Sequence, residues 1–172
     1  MNRAQLEHVI RAAATIAGDA EIVVVGSQAI LGRYPEAPPE LLVSADVDVY
    51  PRNHPERADL IEGSIGELSP FHETYGYYAQ GVGEGTAVLP DGWQSRLVAV
   101  PTPAGTGLCL EPHDLIISTY VAGREKDRDY VRAALRYRLV DPETLRKRLA
   151  TAPIDEAQRE RIAAQLAADA SA

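Results

Sequence analysis

Cysteine is almost absent from this chain of 172 residues, because Cys109 is the only one. A single cysteine excludes an intramolecular disulfide, and this predicts a protein of the reducing cytoplasm. Long apolar runs are absent too, since no stretch reaches the roughly 18 residues that a membrane-spanning helix requires. The N-terminal residues, Met1 to His8, also lack the apolar core of a signal peptide. These absences predict a cytoplasmic protein with no membrane partner.

Several well-known catalytic motifs are missing as well. There is no Walker A loop for phosphates, and there is no Ser-His-Asp or Cys-His arrangement for nucleophilic catalysis. His8, His54 and His113 show no metal-ligand spacing with one another or with Cys109. The sequence therefore argues against a P-loop ATPase, a serine or cysteine hydrolase, and a zinc site.

Charge is unevenly distributed along the chain. The formal net charge of −8 argues against broad, sequence-independent binding of nucleic acid. More than half of the 17 basic residues nevertheless fall within residues 124–148. They are Arg124, Lys126, Arg128, Arg132, Arg136, Arg138, Arg146, Lys147 and Arg148. Two interpretations stay open: a solvated helical surface interleaved with acidic residues, or a local basic surface for a triphosphate or RNA.

A glycine and a serine follow the first apolar run of the chain. Residues 21–25 begin with Glu21 and continue as an unbroken apolar run, which is typical of a buried strand. Gly26-Ser27 follows directly after this predicted strand. A Gly-Ser turn between a strand and a helix offers N–H groups and a hydroxyl to phosphate oxygens. The alternative is that Ser27 only caps the following helix.

Two aspartates lie two residues apart in the next predicted strand. Asp46 and Asp48 fall within residues 41–50, and side chains at i and i+2 of a strand point to one face. Their mutual repulsion favours a bound cation, and Mg²⁺ prefers oxygen ligands while keeping positions for substrate phosphates. We therefore predict a Mg²⁺ or Mn²⁺ site at this pair, with Gly26 and Ser27 binding a nucleotide. The alternative is a strand edge whose charges discourage aggregation.

Helical and extended patterns alternate along the chain. Helices are predicted over 2–17, 27–33 and 55–67, and strands over 21–25, 41–50, 74–80, 95–100 and 106–111. From Pro112 onward the helical segments are 112–122, 124–138, 142–150 and 154–169, and residues 167–172 are expected to fray. The length favours one domain, with an α/β core over 1–111 and a helical part over 112–172 packed on it. The predicted fold class is α+β, a mixed sheet with helices on one side.

The order of the two motifs along the chain, Gly26-Ser27 followed by Asp46-Val-Asp48, resembles that in the minimal nucleotidyltransferases of the DNA polymerase β superfamily. Within it, the chain is similar to the bacterial group that includes nucleotidyltransferase toxins of type IV toxin–antitoxin systems. The resemblance covers residues 20–150 and includes the segments 69–78, 89–93 and 122–127. It implies a polymerase-β-like mixed sheet with flanking helices and a helical C-terminal part.

The resemblance also implies that a lysine and a later aspartate on the C-terminal helices complete the active site. The aspartate matches Asp127, whereas the position expected for the lysine reads Thr119. Arg124 or Lys126 could reach the phosphates instead, although on a helix they would project in different directions from Asp127. The alternative is that Arg124, Lys126 and Asp127 form only a surface network.

Further candidates surround the predicted strand 74–80. Glu73 is the nearest candidate for a third metal carboxylate, which polymerase-like sites often take from a neighbouring strand. His72 is either a ligand or a core or surface residue. Tyr75, Tyr77 and Tyr78 either stack a base or pack against a sheet face.

These signals predict an enzyme that transfers a nucleoside monophosphate from an NTP to a hydroxyl acceptor and releases pyrophosphate. The acceptor would be the 3′ end of a tRNA or a protein hydroxyl, and the resemblance implies a toxin with an antitoxin protein as partner. A competing hypothesis is a domain of the same fold that has lost catalysis, because Thr119 is not a lysine, and that binds a nucleotide or a protein. A third hypothesis is a structural or antitoxin-like subunit.

Overall fold

The computed structural model describes all 172 residues as an α+β fold with a five-stranded mixed sheet. The helices are α1 (Arg3–Ala17), α2 (Ile30–Arg33), α3 (Ala58–Ile65), α4 (Pro70–Tyr75), α5 (Pro112–Ala122), α6 (Glu125–Arg136), α7 (Pro142–Ala150) and α8 (Glu156–Ser171). The strands are β1 (Glu21–Val25), β2 (Asp46–Pro51), β3 (Tyr78–Gly81), β4 (Val98–Pro101) and β5 (Thr106–Cys109). The predicted fold class is confirmed.

The sheet has the order β3-β2-β1-β5-β4. The central strand β1 pairs antiparallel with β2 and parallel with β5. On the outer sides, β2 pairs parallel with β3, and β4 pairs antiparallel with β5. In this register Val25 lies opposite Asp48, and Asp48 lies opposite Gln80. Directly paired residues share a sheet face, so these three side chains form one row across three strands.

Helices α1, α2 and α3 pack on the opposite face of the sheet. A Cβ atom on Gly107 of β5 would lie 2.4 Å from Ile10 of α1, and one on Gly32 of α2 would lie 2.5 Å from Cys109 of β5. Glycine at these positions therefore lets both helices approach the sheet closely. The face with the Asp48 row is left to form a site.

Local sequence signals explain the boundaries of several helices. Asn2 and Gln5 form a capping box at the start of α1, and Gly18 ends that helix in the left-handed conformation. Glu111 and Asp141 accept backbone hydrogen bonds at the starts of α5 and α7. The predicted helices 112–122 and 142–150 are confirmed at both ends. The division of the chain at residue 111 stays a prediction, although α5 does begin at Pro112.

The predicted strand 41–50 is wrong in its first half. Strand β2 begins only at Asp46, and residues 39–41 form a 3₁₀ helix instead. Pro38 and Pro39 favour this turn, because proline fixes φ and cannot donate to a strand ladder. Leu41 then packs into the core while Val43 is 84% exposed, so the apolar residues here do not belong to one strand.

The predicted strand 74–80 begins too early. Ser69 accepts a hydrogen bond from the His72 N–H and starts helix α4, which ends at Gly76 with φ +80°. Strand β3 follows only at Tyr78, so Tyr75 and Tyr77 lie before the strand and not within it. In the same way, residues 93–96 are a 3₁₀ helix and β4 runs from Val98 to Pro101, rather than over 95–100.

The C-terminus is helical to Ser171, where fraying was expected. Asp169 is buried and accepts hydrogen bonds from Arg132 and from the Tyr120 hydroxyl, each at 3.0 Å. These contacts tie the last turns of α8 to α5 and α6. Separately, no helix of the chain is both long and apolar enough to cross a membrane.

Candidate active site

A cleft of about 680 Å³ opens on the sheet face that α1, α2 and α3 leave free. Its walls come from the turn after β1, from β2 and β3, and from the junction of α5 with α6. Most of the residues that the sequence singled out line it: Gly26, Ser27, Asp46, Asp48, Arg124, Lys126 and Asp127. Segments as far apart in the chain as Ser27 and Tyr130 therefore meet here.

Asp46 and Asp48 border the cleft from β2. They alternate with the buried Val47 and Val49, so both carboxylates lie on the cleft face. The Ser44 hydroxyl donates a hydrogen bond to Asp46. Asp48 differs, because its Oδ1 atom is buried and has no hydrogen-bond partner. An unpartnered buried carboxylate oxygen is costly unless a ligand completes it.

The electrostatics of the pair follow from this burial. Removal from water, and to a lesser degree repulsion by Asp46, raises the pKa of Asp48 to about 6 from its ordinary 3.8. Arg124 and Lys126 act in the opposite direction on the same pKa. The site thus concentrates negative charge where a cation would be stabilised.

Gly26 makes room for the Asp48 carboxylate. A Cβ atom at this position would lie 2.6 Å from Asp48 Oδ2, well inside van der Waals contact. Its φ of +74° is also a conformation that favours glycine. The sequence predicted close approach to a phosphate at Gly26, and the structure adds a close approach to the neighbouring carboxylate.

Ser27 is held in place on two sides and does not cap a helix. Its Oγ atom accepts a hydrogen bond from Gln28 Nε2 at 3.2 Å, and its carbonyl accepts one from the Tyr130 hydroxyl at 2.6 Å. No side-chain cap bond exists at the start of this 3₁₀ turn. The helix-cap alternative is therefore wrong, and the hydroxyl hydrogen of Ser27 is left to donate to a ligand in the cleft.

Arg124 and Asp127 form an ion pair at the start of α6. Asp127 Oδ2 accepts from Arg124 N at 3.1 Å and from Nε at 3.0 Å, while Oδ1 accepts from Nη2 at 3.3 Å. The expectation that Arg124 projects in a different direction from Asp127 is wrong, because Arg124 precedes the helix in an extended conformation. Asp127 is only 8% exposed, so it is a buried anchor that orients the arginine.

Lys126 and Thr119 face the same cleft with different chemistry. Lys126 is exposed at the cleft wall and makes no ion pair, so its ammonium group is free to meet a ligand. Thr119 lies at the position where the resemblance implies a lysine, and its hydroxyl donates to the Leu115 carbonyl at 2.8 Å. The neutral Thr119 supplies no charge, whereas Lys126 does.

Glu73 does not join the aspartate pair. It is exposed on α4 and does not line the cleft. No group of three or more His, Cys, Asp and Glu side chains that could hold a metal exists in the structure. On the strand beside β2, the residue opposite Asp48 is Gln80, which does line the cleft. The neighbouring strand therefore offers an amide oxygen in place of a third carboxylate.

The aromatic residues near α4 lie outside the cleft lining. Tyr77 packs with Phe71 and Tyr75, and its hydroxyl lies 2.6 Å from His8 Nδ1. His72 Nδ1 accepts from the Leu68 N–H at 3.0 Å. These contacts favour packing over base stacking, and they favour a structural role for His72 over a ligand role.

Most of the basic segment 124–148 is neutralised. Five of its cations make ion pairs: Arg124 with Asp127, Arg132 with Asp169, Arg136 with Glu40, Lys147 with Glu143, and Arg148 with Glu111 and Asp114. Lys126, Arg128, Arg138 and Arg146 make none. The segment is therefore mainly a solvated surface of paired charges, with its free cations at separate places.

Sequence reasoning missed several residues of the cleft. They include Glu40, Ser44, Gln80, Asp129 and Tyr130. Ser44 precedes Asp46 by two positions and could have been found as a local hydrogen-bond donor. Gln80 has no local signal, because only the register of β3 against β2 brings it beside Asp48.

Comparison with known proteins gives one finding. The model of a family described as "Nucleotidyltransferase of unknown function (DUF6036)" matches residues 4–169, a range that contains every cleft residue named above. Searches among curated proteins and among solved structures gave no match.

Proposed function

The chain belongs to this nucleotidyltransferase family, and from that premise we propose that it transfers a nucleoside monophosphate from an NTP to an acceptor hydroxyl. The observation that carries the proposal is the unpartnered Oδ1 atom of Asp48, buried in a cleft that also holds the Ser27 hydroxyl and the free Lys126. An anionic, incomplete coordination site next to phosphate-binding groups suits a triphosphate that arrives with a divalent cation.

The donor set fits Mg²⁺ or Mn²⁺. Asp46 and Asp48 are hard oxygen ligands, and Asp48 Oδ1 has no competing protein partner. Mg²⁺ is commonly held by one or two carboxylates plus substrate phosphates, so two aspartates are sufficient for an ion that binds together with an NTP. When bound, the ion would neutralise phosphate charge and polarise the reacting phosphate.

The chemistry is a balanced exchange at the α-phosphate. The acceptor oxygen forms a bond to the α-phosphorus, the bond between that phosphorus and the bridging oxygen of the β-phosphate breaks, and pyrophosphate leaves. The acceptor hydroxyl gives its proton to water. The products are the nucleotidylated acceptor, pyrophosphate and a proton.

The protein side chains act on the charge that moves in this exchange. The Ser27 hydroxyl donates to an oxygen of the terminal phosphates. Lys126 and Arg124 offset the charge that develops on the departing pyrophosphate, an effect that is strong inside a cleft. Asp127 is a positioning residue, because its two oxygens hold the Arg124 guanidinium in place.

A second candidate is a nucleotide-binding domain of the same fold with little or no catalysis. The observation that favours it is Thr119, which faces the cleft without the charge that the resemblance implies there. Lys126 argues against it, because an unpaired cation does line the same cleft. A structural or antitoxin-like subunit, the third hypothesis, would bind no nucleotide at all.

The test is transfer of label from α-labelled NTPs to bulk RNA or protein, with Mg²⁺ or Mn²⁺ present. We expect transfer by the wild type and none by Asp48→Asn. Asp59→Asn, an exposed substitution on α3 outside the cleft, is the matched control and should behave as the wild type. Metal-dependent NTP binding without transfer would select the second candidate, and no NTP binding by calorimetry would refute the proposal.

The toxin role and an antitoxin partner are proposed on the resemblance alone. Induced expression in a bacterial host, with growth as the readout, tests the toxin role. Growth arrest by the wild type but not by Asp48→Asn is the expected result. Equal growth of both strains, with both proteins accumulated, would remove the toxin role while leaving nucleotidyl transfer open.

A further inference from the structure

A second groove of about 690 Å³ lies between α5, α6 and α8. It shares Thr119, Ala122, Arg124 and Asp127 with the cleft described above, so these residues form a common wall. The groove and the cleft therefore lie side by side at the junction of α5 with α6. Apart from Arg124, Asp127 and Thr119 in the common wall, the residues of the groove have no role in the proposed transfer.

The groove is cationic in an acidic protein. Its lining contains three arginines, Arg124, Arg128 and Arg161, and a single carboxylate, Asp127, whereas the whole chain carries −8. Arg124 is paired with Asp127, but Arg128 and Arg161 are exposed and make no ion pair. Two free guanidinium groups on opposite walls, α6 and α8, are thus available for anions. Guanidinium forks match phosphate oxygens in pairs.

The walls of the groove are held firmly. Asp169 binds Arg132 of α6 and the Tyr120 hydroxyl of α5, and it also accepts from Gln165 at 3.0 Å. These buried contacts fix α8 against α5 and α6, so the groove exists before any ligand binds. A preformed site loses less conformational entropy on binding.

We propose that this groove binds the phosphodiester backbone of a single-stranded RNA acceptor, whose 3′-terminal hydroxyl enters the cleft across the shared wall. The inference rests on the proposed function for the role of the RNA as acceptor, although the binding itself does not. Successive phosphates of one strand match two separated free arginines. An acidic peptide is the competing occupant, and it is an arm of the test.

The salt dependence of binding gives a quantitative expectation. A single-stranded nucleic acid that has two phosphates neutralised should show a slope of log affinity against log salt of about −1.4. That slope corresponds to about a sevenfold loss of affinity between about 50 and 200 mM salt. A protein with a broad basic surface would show a much steeper slope.

The experiment is fluorescence anisotropy of a short, mixed-sequence RNA labelled at its 5′ end, titrated with the full chain across a salt series. The groove variant combines Arg128→Gln with Arg161→Gln. The matched control combines Arg138→Gln with Arg146→Gln, which removes the same charge from exposed, unpaired arginines outside both cavities. We expect the groove variant to bind at least about tenfold more weakly with a slope near zero, and the control to match the wild type.

Three results would overturn the assignment: no RNA binding by the wild type, equal RNA binding by wild type and groove variant, or an equal loss in the control. Groove-dependent binding of a polyglutamate peptide without RNA binding would replace RNA by a protein partner. NTP binding is measured in parallel by calorimetry. Its absence from the wild type would defeat the proposed function, whereas normal NTP binding with unchanged RNA binding in the groove variant would defeat this inference alone.

Discussion

Replacing Asp48 by asparagine should make the metal-free protein more stable at neutral pH. Burial, with repulsion by Asp46, raises the pKa of Asp48 to about 6 from 3.8, so ionising this carboxyl group costs the folded state free energy. Between these values the folded protein binds more protons than the unfolded chain. The contribution of this carboxyl group to the stability of the folded protein is therefore greatest below about pH 4, and it is lost as pH rises through about 6.

The magnitude follows from the shift. About two pKa units correspond to a free energy of about 3 kcal/mol at pH 8, as an upper value. Asparagine has nearly the same shape and carries no charge at any pH, so Asp48→Asn removes this cost. The variant should be more stable than the wild type by about 2–3 kcal/mol at pH 8, and this difference should fall to about 0.5 kcal/mol near pH 4. Stability gained by removing a functional charge is a common trade-off.

The assay is urea unfolding of both proteins in EDTA at several pH values between 4 and 8, with Asp59→Asn as the control for the substitution itself. Differences in stability between variant and wild type cancel the acid effects of groups that do not interact with Asp48. A variant that is less stable than the wild type at pH 8, or a difference that does not change with pH, would refute the reasoning. Added Mg²⁺ should stabilise the wild type and leave Asp48→Asn unchanged.

Three further predictions concern ligands. Ser27→Ala should weaken NTP binding by about 1–2 kcal/mol, because one hydrogen bond to a charged group is lost, and a change in thermal stability alone would contradict this. Lys126→Ala should slow transfer more than it weakens NTP binding, because an ammonium group offsets pyrophosphate charge. For the same reason, Thr119→Lys should restore part of the rate. Transfer rates that neither variant changes would exclude both positions as sources of that positive charge. Gln80→Glu should raise Mg²⁺ affinity in calorimetry, because it adds a carboxylate opposite Asp48, and an unchanged affinity would show that Gln80 does not face the ion.

Signals that act within a few residues can be read directly from the amino-acid sequence. Asn2 with Gln5, Glu111 and Asp141 mark helix starts, and Gly18 ends a helix in the left-handed conformation. Cap hydrogen bonds and left-handed glycines depend only on the backbone nearby, so they survive any tertiary context. Sequence reasoning missed the Ser69 cap of α4 because the tyrosines that follow it favour a strand.

By itself the sequence determined the order of the helices and strands other than α4, and it determined the buried β1 strand. It also determined the two motifs Gly26-Ser27 and Asp46-Val-Asp48, because strand periodicity alone places the two carboxylates on one face. Only the tertiary structure decided that Asp48 lacks a partner for Oδ1, since burial depends on everything packed around β2. Only the register of β3 decided that Gln80, and not Glu73, stands opposite Asp48. The second groove likewise depends on the packing of α8 against α5 and α6, where Ile162 and Leu166 are buried and Asp169 bonds to Tyr120 and Arg132. These partners lie far earlier in the chain, so no local pattern encodes the contacts.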